Sequence, residues 1–372
     1  MESYLRVNLD YIDKNINNLK ALNPDKLFCA VVKANAYGMG LVTVAKSIED
    51  IVDYFAVARL DEALALRKNH IEKPIMLLGY TPYDSVDKCI KYDIDIPVYD
   101  LSYAKKINDS IDKKLNVHIA VDTGHGRLGF RENEIDNILE IKKFNNLNVI
   151  GIFSHYSTAD EDDPSFTKIQ NEKFEKILSE VKTNFDFKYI HIANSAGAIK
   201  YASKCNLVRV GLSIYGIYPS LTLKDNNILD LYQSFKFISR ISFVKEIDEG
   251  TPISYGRTFI SDRKMKVATI PIGYADGFSR AFSNKGEVLI NDKLCKILGR
   301  VCMDQLMVDV TNLEVSIDDE VLIYPDIYKE AKKIDTISYE LMTSVGLRVP
   351  RVYIKNGKII NKDNYLGEIY EN

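Results

Sequence analysis

The chain has 372 residues, enough for two domains with their own cores or for one large barrel with an appendage. Its 49 basic and 52 acidic residues are mixed along the length for a net charge of −3, which excludes a nucleic-acid-binding stripe and an acidic disordered tail. Hydrophobic residues make 46%, and no uninterrupted apolar run approaches the roughly 20 residues of a membrane-spanning helix. Cys29, Cys89, Cys205, Cys295 and Cys302 show no paired spacing and no C-x-x-C, which predicts reduced thiols and no metal site. Met1-Glu2-Ser3-Tyr4 runs straight into structured-looking sequence without a signal-peptide pattern. The expectation is a cytoplasmic protein with no membrane segment in this chain, a longer membrane-tethered parent staying open.

After Val7-Asn8-Leu9, residues 10–22 predict a helix with Ile12, Ile16, Leu19 and Leu22 on one face and Asp10 as its N-cap. Short apolar runs then recur at 27–32, 54–58, 75–79, 96–99, 117–121, 149–153, 189–193 and 207–211. Amphipathic stretches such as 41–51, 61–68, 132–144 and 165–181 separate them. Eight strands alternating with helices over about 200 residues is the rhythm of a closed parallel (β/α)8 TIM-type barrel. An open doubly wound sheet is the alternative, although no G-x-G-x-x-G follows the first strand.

A barrel carries its chemistry at the C-terminal ends of its strands. Lys33 follows the first strand, Arg59 the second, and Asp122-Thr123-Gly124-His125-Gly126-Arg127 the fifth. Ser154-His155-Tyr156 follows the sixth, Asn194-Ser195 the seventh and Gly211-Leu212 the eighth. A lysine closing an apolar strand is desolvated, which lowers its pKa and suits an amine nucleophile. Taken alone, such a lysine is more often one that snorkels to the surface. The clustering of reactive types at the strand ends shifts the balance.

Beyond residue 230 the texture becomes strand-like, at 234–247, 266–272, 287–290, 306–310 and 321–324. A hairpin at 352–360 turns on Asn356-Gly357, and one helix is expected at 335–344. The division is therefore a barrel over 1–230 and a C-terminal mainly β domain over 231–372. Tyr255 lies in a glycine-punctuated loop, Gly273-Tyr274-Ala275-Asp276-Gly277 forms a second, and Gly299 to Gln305 a third.

The segments AVVKANAYGMG, VDTGxGRLGF, FSHYSTAD, ANSAG, VRVGLSIYG, ISYGRTF, GYADGF, GRVCMDQLMVDV and RVPRVY run from residue 30 to 353. In that order they resemble the alanine racemase family, serine-racemizing relatives included. The resemblance implies pyridoxal 5'-phosphate as cofactor, a small amino-acid substrate, and a homodimer whose active sites join one subunit's barrel to the other's β domain. Lys33 would hold the cofactor as a Schiff base and then serve as one acid–base group. Tyr255 of the opposite subunit would serve as the other, on the far face of the substrate. Arg209 resembles the family's partner to the pyridine nitrogen, and an arginine, offering only donors, leaves that nitrogen largely unprotonated. The phosphate would rest on Tyr37, Ser195 and the backbone of Gly211 and Leu212, with His155 against the ring. Arg127 would take the substrate carboxylate, joined by the backbone amide of Met303 of the opposite subunit, with Cys302 and Asp304 beside that amide.

Three positions depart from the family pattern. Ala120 stands where many relatives carry a carbamylated lysine that orients the following arginine. His125 replaces a common methionine, and Leu347 a tyrosine beside the substrate pocket. A decarboxylase of related architecture also has a lysine after its first strand, but calls for an acid where Arg209 stands. A non-catalytic pyridoxal-phosphate carrier resembles the barrel alone, leaving the β domain and Tyr255 without a use.

Overall fold

A computed structural model describes residues 1–201 and 205–367. The chain forms two compact units, one of Tyr11–Ala36 with Leu41–Gln233, the other of Met1–Asp10, Tyr37–Gly40 and the chain from Ser234 onward. The first strand, β1 (Tyr4–Asn8), belongs to the second of these.

Eight parallel strands build the other unit: β2 (Leu27–Val31), β3 (Tyr54–Val57), β4 (Ile75–Leu77), β5 (Ile94–Val98), β6 (Leu115–Ala120), β7 (Leu147–Phe153), β8 (Tyr189–His191) and β9 (Leu207–Val210). Each of β2 to β8 pairs with its neighbour in the chain, and β9 returns to pair with β2. Between β8 and β9 two backbone bonds bring the ends together, Asn206 N–H to Ile190 O at 3.1 Å and Arg209 N–H to Ala193 O at 3.0 Å. The sheet is an all but closed parallel barrel, which removes the doubly wound alternative. Strands covered on both faces need no polar alternation, and β3, β4, β5 and β9 are buried at every residue. The helix Ser165–Val181 buries Thr167, Gln170, Phe174, Ile177 and Val181, a three-four spacing that lays one stripe inward.

The other unit is mainly β. β1 pairs antiparallel with β10 (Phe235–Arg240) and parallel with β19 (Arg351–Lys355). They lie inside a seven-stranded sheet that also contains β15 (Glu287–Ile290), β16 (Lys293–Lys296), β18 (Glu320–Leu322) and β20 (Lys358–Asp363). A second sheet holds β11 (Phe243–Ile247), β14 (Met265–Ile270) and β17 (Leu306–Asp309), and β12 (Pro252–Ile253) with β13 (Phe259–Ile260) makes a small ribbon. Ile247, Ile253, Met265, Val267 and Leu298 form a core cluster here.

The expected Asn356-Gly357 turn is present, both residues at positive φ as a tight hairpin requires. Three expectations change in detail. The run 234–247 divides into β10 and β11, which lie in different sheets. The helix expected at 335–344 is the shorter Ser338–Thr343, and Ile327–Lys333 precedes it, capped by Asp326 accepting from the Tyr328 and Lys329 amides. Asp10 does not cap its helix, which starts at Leu9; its carboxylate accepts the Asn356 amide at 2.8 Å. No described helix is long and apolar enough to cross a membrane.

Candidate active site

β2 ends at Val31, and Lys33 opens a turn in which Ala34, Asn35, Ala36 and Tyr37 all have φ between 53 and 55°. The left-handed region costs a non-glycine residue about 1–2 kcal/mol, so four in succession need external support. Glu62 supplies it. One carboxylate oxygen accepts the Ala34 amide at 2.6 Å and the Asn35 amide at 3.4 Å. The other accepts the amides of Ala58 at 2.9 Å and Arg59 at 3.2 Å, so one side chain ties the loops after β2 and β3 together. The Asn35 Oδ1 in addition accepts the Leu41 amide at 2.8 Å. The sequence reading passed over Glu62, whose place three residues after Arg59 is the spacing of a capping carboxylate.

Burial and then the Arg127 guanidinium pull the Lys33 ammonium below its ordinary value of 10.5, Glu62 opposing and Arg209 adding to the fall. A larger fraction of Lys33 is thus the neutral amine at neutral pH. Since Glu62 holds the value up, Glu62→Gln should lower it further. The midpoint of the pH dependence of Lys33 acylation should move down, and the protein should lose about 1–3 kcal/mol in denaturant as an amide N–H faces one pair of backbone donors. An unchanged or higher midpoint would contradict the assignment.

Arg209 lies deep in the barrel, 3% exposed, on β9. Nη1 donates to His191 Nδ1; Nη2 donates to Ser154 O at 2.7 Å, His155 Nδ1 at 3.2 Å and, weakly, Ile192 O at 3.4 Å. Its Nε–H has no acceptor among the described residues. Burial lowers its pKa to about 10, leaving it a cation at neutral pH. Burial together with Arg209 and Arg127 holds His155 well below the usual imidazole range, so it is neutral, and His125 lies over it with ring centroids 5.4 Å apart. The His125 Nδ1 is buried with no hydrogen-bond partner among the described residues. Arg127 is exposed and makes no hydrogen bond or ion pair with any described residue, and Ala120 is a buried methyl at the end of β6.

Ser195 opens the helix Ser195–Lys200, and its Oγ accepts the Gly211 amide at 3.1 Å, which leaves its hydroxyl hydrogen to donate. Leu212 opens the turn Leu212–Tyr215, whose first amides have no partner inside the turn. One end of the barrel therefore gathers a deprotonable amine, two guanidiniums with unspent donors, two imidazoles, a hydroxyl and turn amides. That donor set fits a phosphate, a carboxylate and a ring-nitrogen acceptor, the polar groups of pyridoxal phosphate and an amino acid. No described group of three or more His, Cys, Asp or Glu is arranged to hold a metal.

The remaining expected residues lie in the other unit. Tyr37 is buried there, its ring centroid 6.2 Å from that of Tyr339, and burial raises its phenol above the ordinary range. Ser254, Tyr255, Cys302, Met303, Asp304 and Gln305 line a cavity of about 400 Å³. Ser254, itself at φ 65°, donates from Oγ to Arg300 O at 2.5 Å, and the Cys302 sulfur lies 3.6 Å from the same hydroxyl. The Tyr274 and Ala275 amides donate to the Cys302 and Met303 carbonyls at 3.1 and 3.0 Å. A Cβ on Gly273 would meet those carbonyls at 2.3 Å, so only glycine lets the two loops approach this closely. Arg348 clamps them further, donating to Asp276 at 2.8 Å and Asp304 at 2.7 Å. Tyr255 and Met303 stand out of this scaffold, 69% and 53% exposed.

Residues 7–219 match the family model described as alanine racemase, N-terminal domain, and residues 234–353 the model for the alanine racemase C-terminal domain. The chain is 42% identical to alanine racemase 2 of Caldanaerobacter subterraneus subsp. tengcongensis, over 97% of both chains. It is 41% identical to the alanine racemase of Clostridium kluyveri, over 97% of this chain and 96% of that one. Among solved structures, alanine racemase of Clostridium difficile 630 superposes with a TM-score of 0.93 at 36% identity, covering 98% of this chain and 99% of that one. The alanine racemase of Bacillus anthracis with bound L-Ala-P gives 0.94 at 33% identity, covering 99% and 98%.

Proposed function

The chain belongs to the alanine racemase family, and from that premise we propose that it interconverts L- and D-alanine on pyridoxal 5'-phosphate with Lys33 and Tyr255 as its two acid–base groups. The observation that carries the reading is Arg209: a buried cation with both terminal nitrogens engaged and its Nε–H open, on the same barrel end as a lysine of lowered pKa. A decarboxylase of related architecture calls for an acid in that place.

Bound pyridoxal phosphate supplies the electron-withdrawing conjugation that makes an amino-acid α-proton removable. Lys33 holds the cofactor, then exchanges a proton with the α-carbon from one face as a neutral amine. Arg127, which bonds no other described residue, takes the substrate carboxylate, and the Met303 amide of the second subunit adds to it. Ser195 and the Gly211–Leu212 turn would hold the phosphate. Arg209 would be the partner of the ring nitrogen through its Nε–H and, offering only donors, would leave that nitrogen unprotonated, which would discourage transamination. Tyr255 exchanges its proton on the opposite face and is supplied by the second subunit of a homodimer in the cytoplasm. The exposure of Tyr255 and Met303 on a rigid loop scaffold supports their use by a neighbouring chain.

The test is loss of optical rotation from a panel of L-amino acids with carbon dioxide release followed in parallel. Alanine should racemise, serine less well, with no gas. Leu347 is 58% exposed and offers no hydrogen bond, so it relaxes the size limit that a tyrosine would impose. Leu347→Tyr should raise the alanine-to-serine ratio of kcat/KM by an amount equivalent to about 1–3 kcal/mol. An unchanged ratio would put the specificity determinant in the loops of His125 and Met303.

A further inference from the structure

Below Arg209 the barrel interior holds a second polar assembly that none of the roles above uses. Tyr54, Asp95, His118 and His191 come from β3, β5, β6 and β8, and each is 4% exposed or less. They form one unbroken line. His191 Nδ1 meets Arg209 Nη1, His191 Nε2 lies 3.1 Å from His118 Nδ1, and His118 Nε2 lies 3.2 Å from the Tyr54 hydroxyl and 3.8 Å from Asp95 Oδ2. The Tyr54 hydroxyl also hydrogen-bonds Asp95 Oδ2.

The donors fix one direction along the line. A guanidinium only donates, so His191 Nδ1 accepts and carries no proton. The His191 proton is then on Nε2 and goes to His118 Nδ1, which must accept in turn. His118 is left with its proton on Nε2, facing Tyr54 and Asp95, and Tyr54 donates to the carboxylate. Every hydrogen along the line points from Arg209 towards Asp95. The direct partners of Arg209 are all neutral, namely two imidazoles and two carbonyls, and Asp95 is the carboxylate that this line reaches.

The surrounding fold makes room for the line. A Cβ on Gly151 of β7 would fall 2.2 Å from His118 Nδ1, and the β6–β7 register shifts between Val117 and His118. Tyr189 stacks on His118 with centroids 5.7 Å apart, and Phe153 stacks on His191 at 5.1 Å, so each ring would have to leave its stack and its hydrogen bonds to turn over.

We propose that Asp95 is a positioning residue for Arg209, acting through Tyr54, His118 and His191 to lock both histidine tautomers and hold the guanidinium with its Nε–H aimed at the cofactor site. The proposal rests on the assignment of Arg209 as the ring-nitrogen partner. Asp95→Asn keeps the shape but gives the far end of the line an N–H₂ donor, and an order reversed from that end would have to break the Arg209–His191 bond, because the guanidinium cannot accept.

The chain of tautomers is read first without cofactor, by ¹⁵N NMR of histidine-labelled protein. In wild type His118 and His191 should both be protonated on Nε2 only, and in Asp95→Asn both patterns should change. With cofactor loaded, Asp95→Asn should shift the visible band and its pH titration, and lower kcat by roughly 10–100-fold with little change in KM, the loss typical when a partner orienting a functional group is removed. Tyr54→Phe, which removes one donor to Asp95 and preserves the ring, should give a smaller change of the same sign and serves if Asp95→Asn does not fold. Wild-type tautomers other than these, or tautomers untouched by both variants, overturn the line. Altered tautomers with an unshifted band and titration overturn its reach to Arg209. A wild-type protein that gives the expected tautomers but takes up no cofactor leaves the line standing and defeats the assignment of Arg209.

Discussion

Lys33→Ala should abolish racemisation and leave the protein colourless after incubation with pyridoxal phosphate. Two losses combine: the covalent attachment, and an acid–base group of the kind worth roughly 10²–10⁴-fold in rate. In the wild-type protein, borohydride should fix the cofactor on the peptide that contains Lys33. The turn that carries this lysine explains why no neighbour substitutes for it: four left-handed residues and the Glu62 carboxylate fix where its stem begins. A label on any other lysine would overturn the assignment.

Tyr255→Phe should fail in a different manner. Cofactor should bind and the colour remain, because Lys33 is intact, yet racemisation should fall roughly 10²–10⁴-fold. Exchange of the α-proton with solvent should persist for one enantiomer and nearly vanish for the other, since a single face keeps its acid–base group. If the site is shared between subunits, mixing Lys33→Ala with Tyr255→Phe under subunit exchange should restore part of the activity, because some mixed dimers contain one site with both groups. Proven exchange without recovery would place both residues in one chain's site.

The barrel was legible because its strands are short, mostly apolar runs rich in Val, Ile, Leu and Phe, as expected of a sheet covered on both faces. The residues at the strand ends were legible because polar types stand out after such runs. What lies inside the barrel was not. His118 and His191 sit within Leu-Asn-Val-His-Ile-Ala and Tyr-Ile-His, which read as ordinary strand, and nothing local reveals that their rings meet across β7. The left-handed turn was hidden for a related reason: of Ala34, Asn35, Ala36 and Tyr37 only the asparagine visits that region readily, and the carboxylate that supports it comes from Glu62. The helix Ile327–Lys333 was missed because seven residues with three lysines show too little periodicity.

The pairing of β1 bears on how the chain assembles as it is made. Leu5 sits between Phe237 and Arg351, so this strand leaves the ribosome well before either of its partners. At roughly 5–20 residues per second it waits on the order of ten seconds or more for β10, and longer for β19. Meanwhile every strand of the barrel emerges, and those strands close on one another without it. During that interval Tyr4–Asn8 is an unpaired β segment with Leu5 and Val7 uncovered, a template for any passing edge. Its brevity, with Arg6 between the two apolar residues, limits that hazard until the C-terminal strands arrive to enclose it.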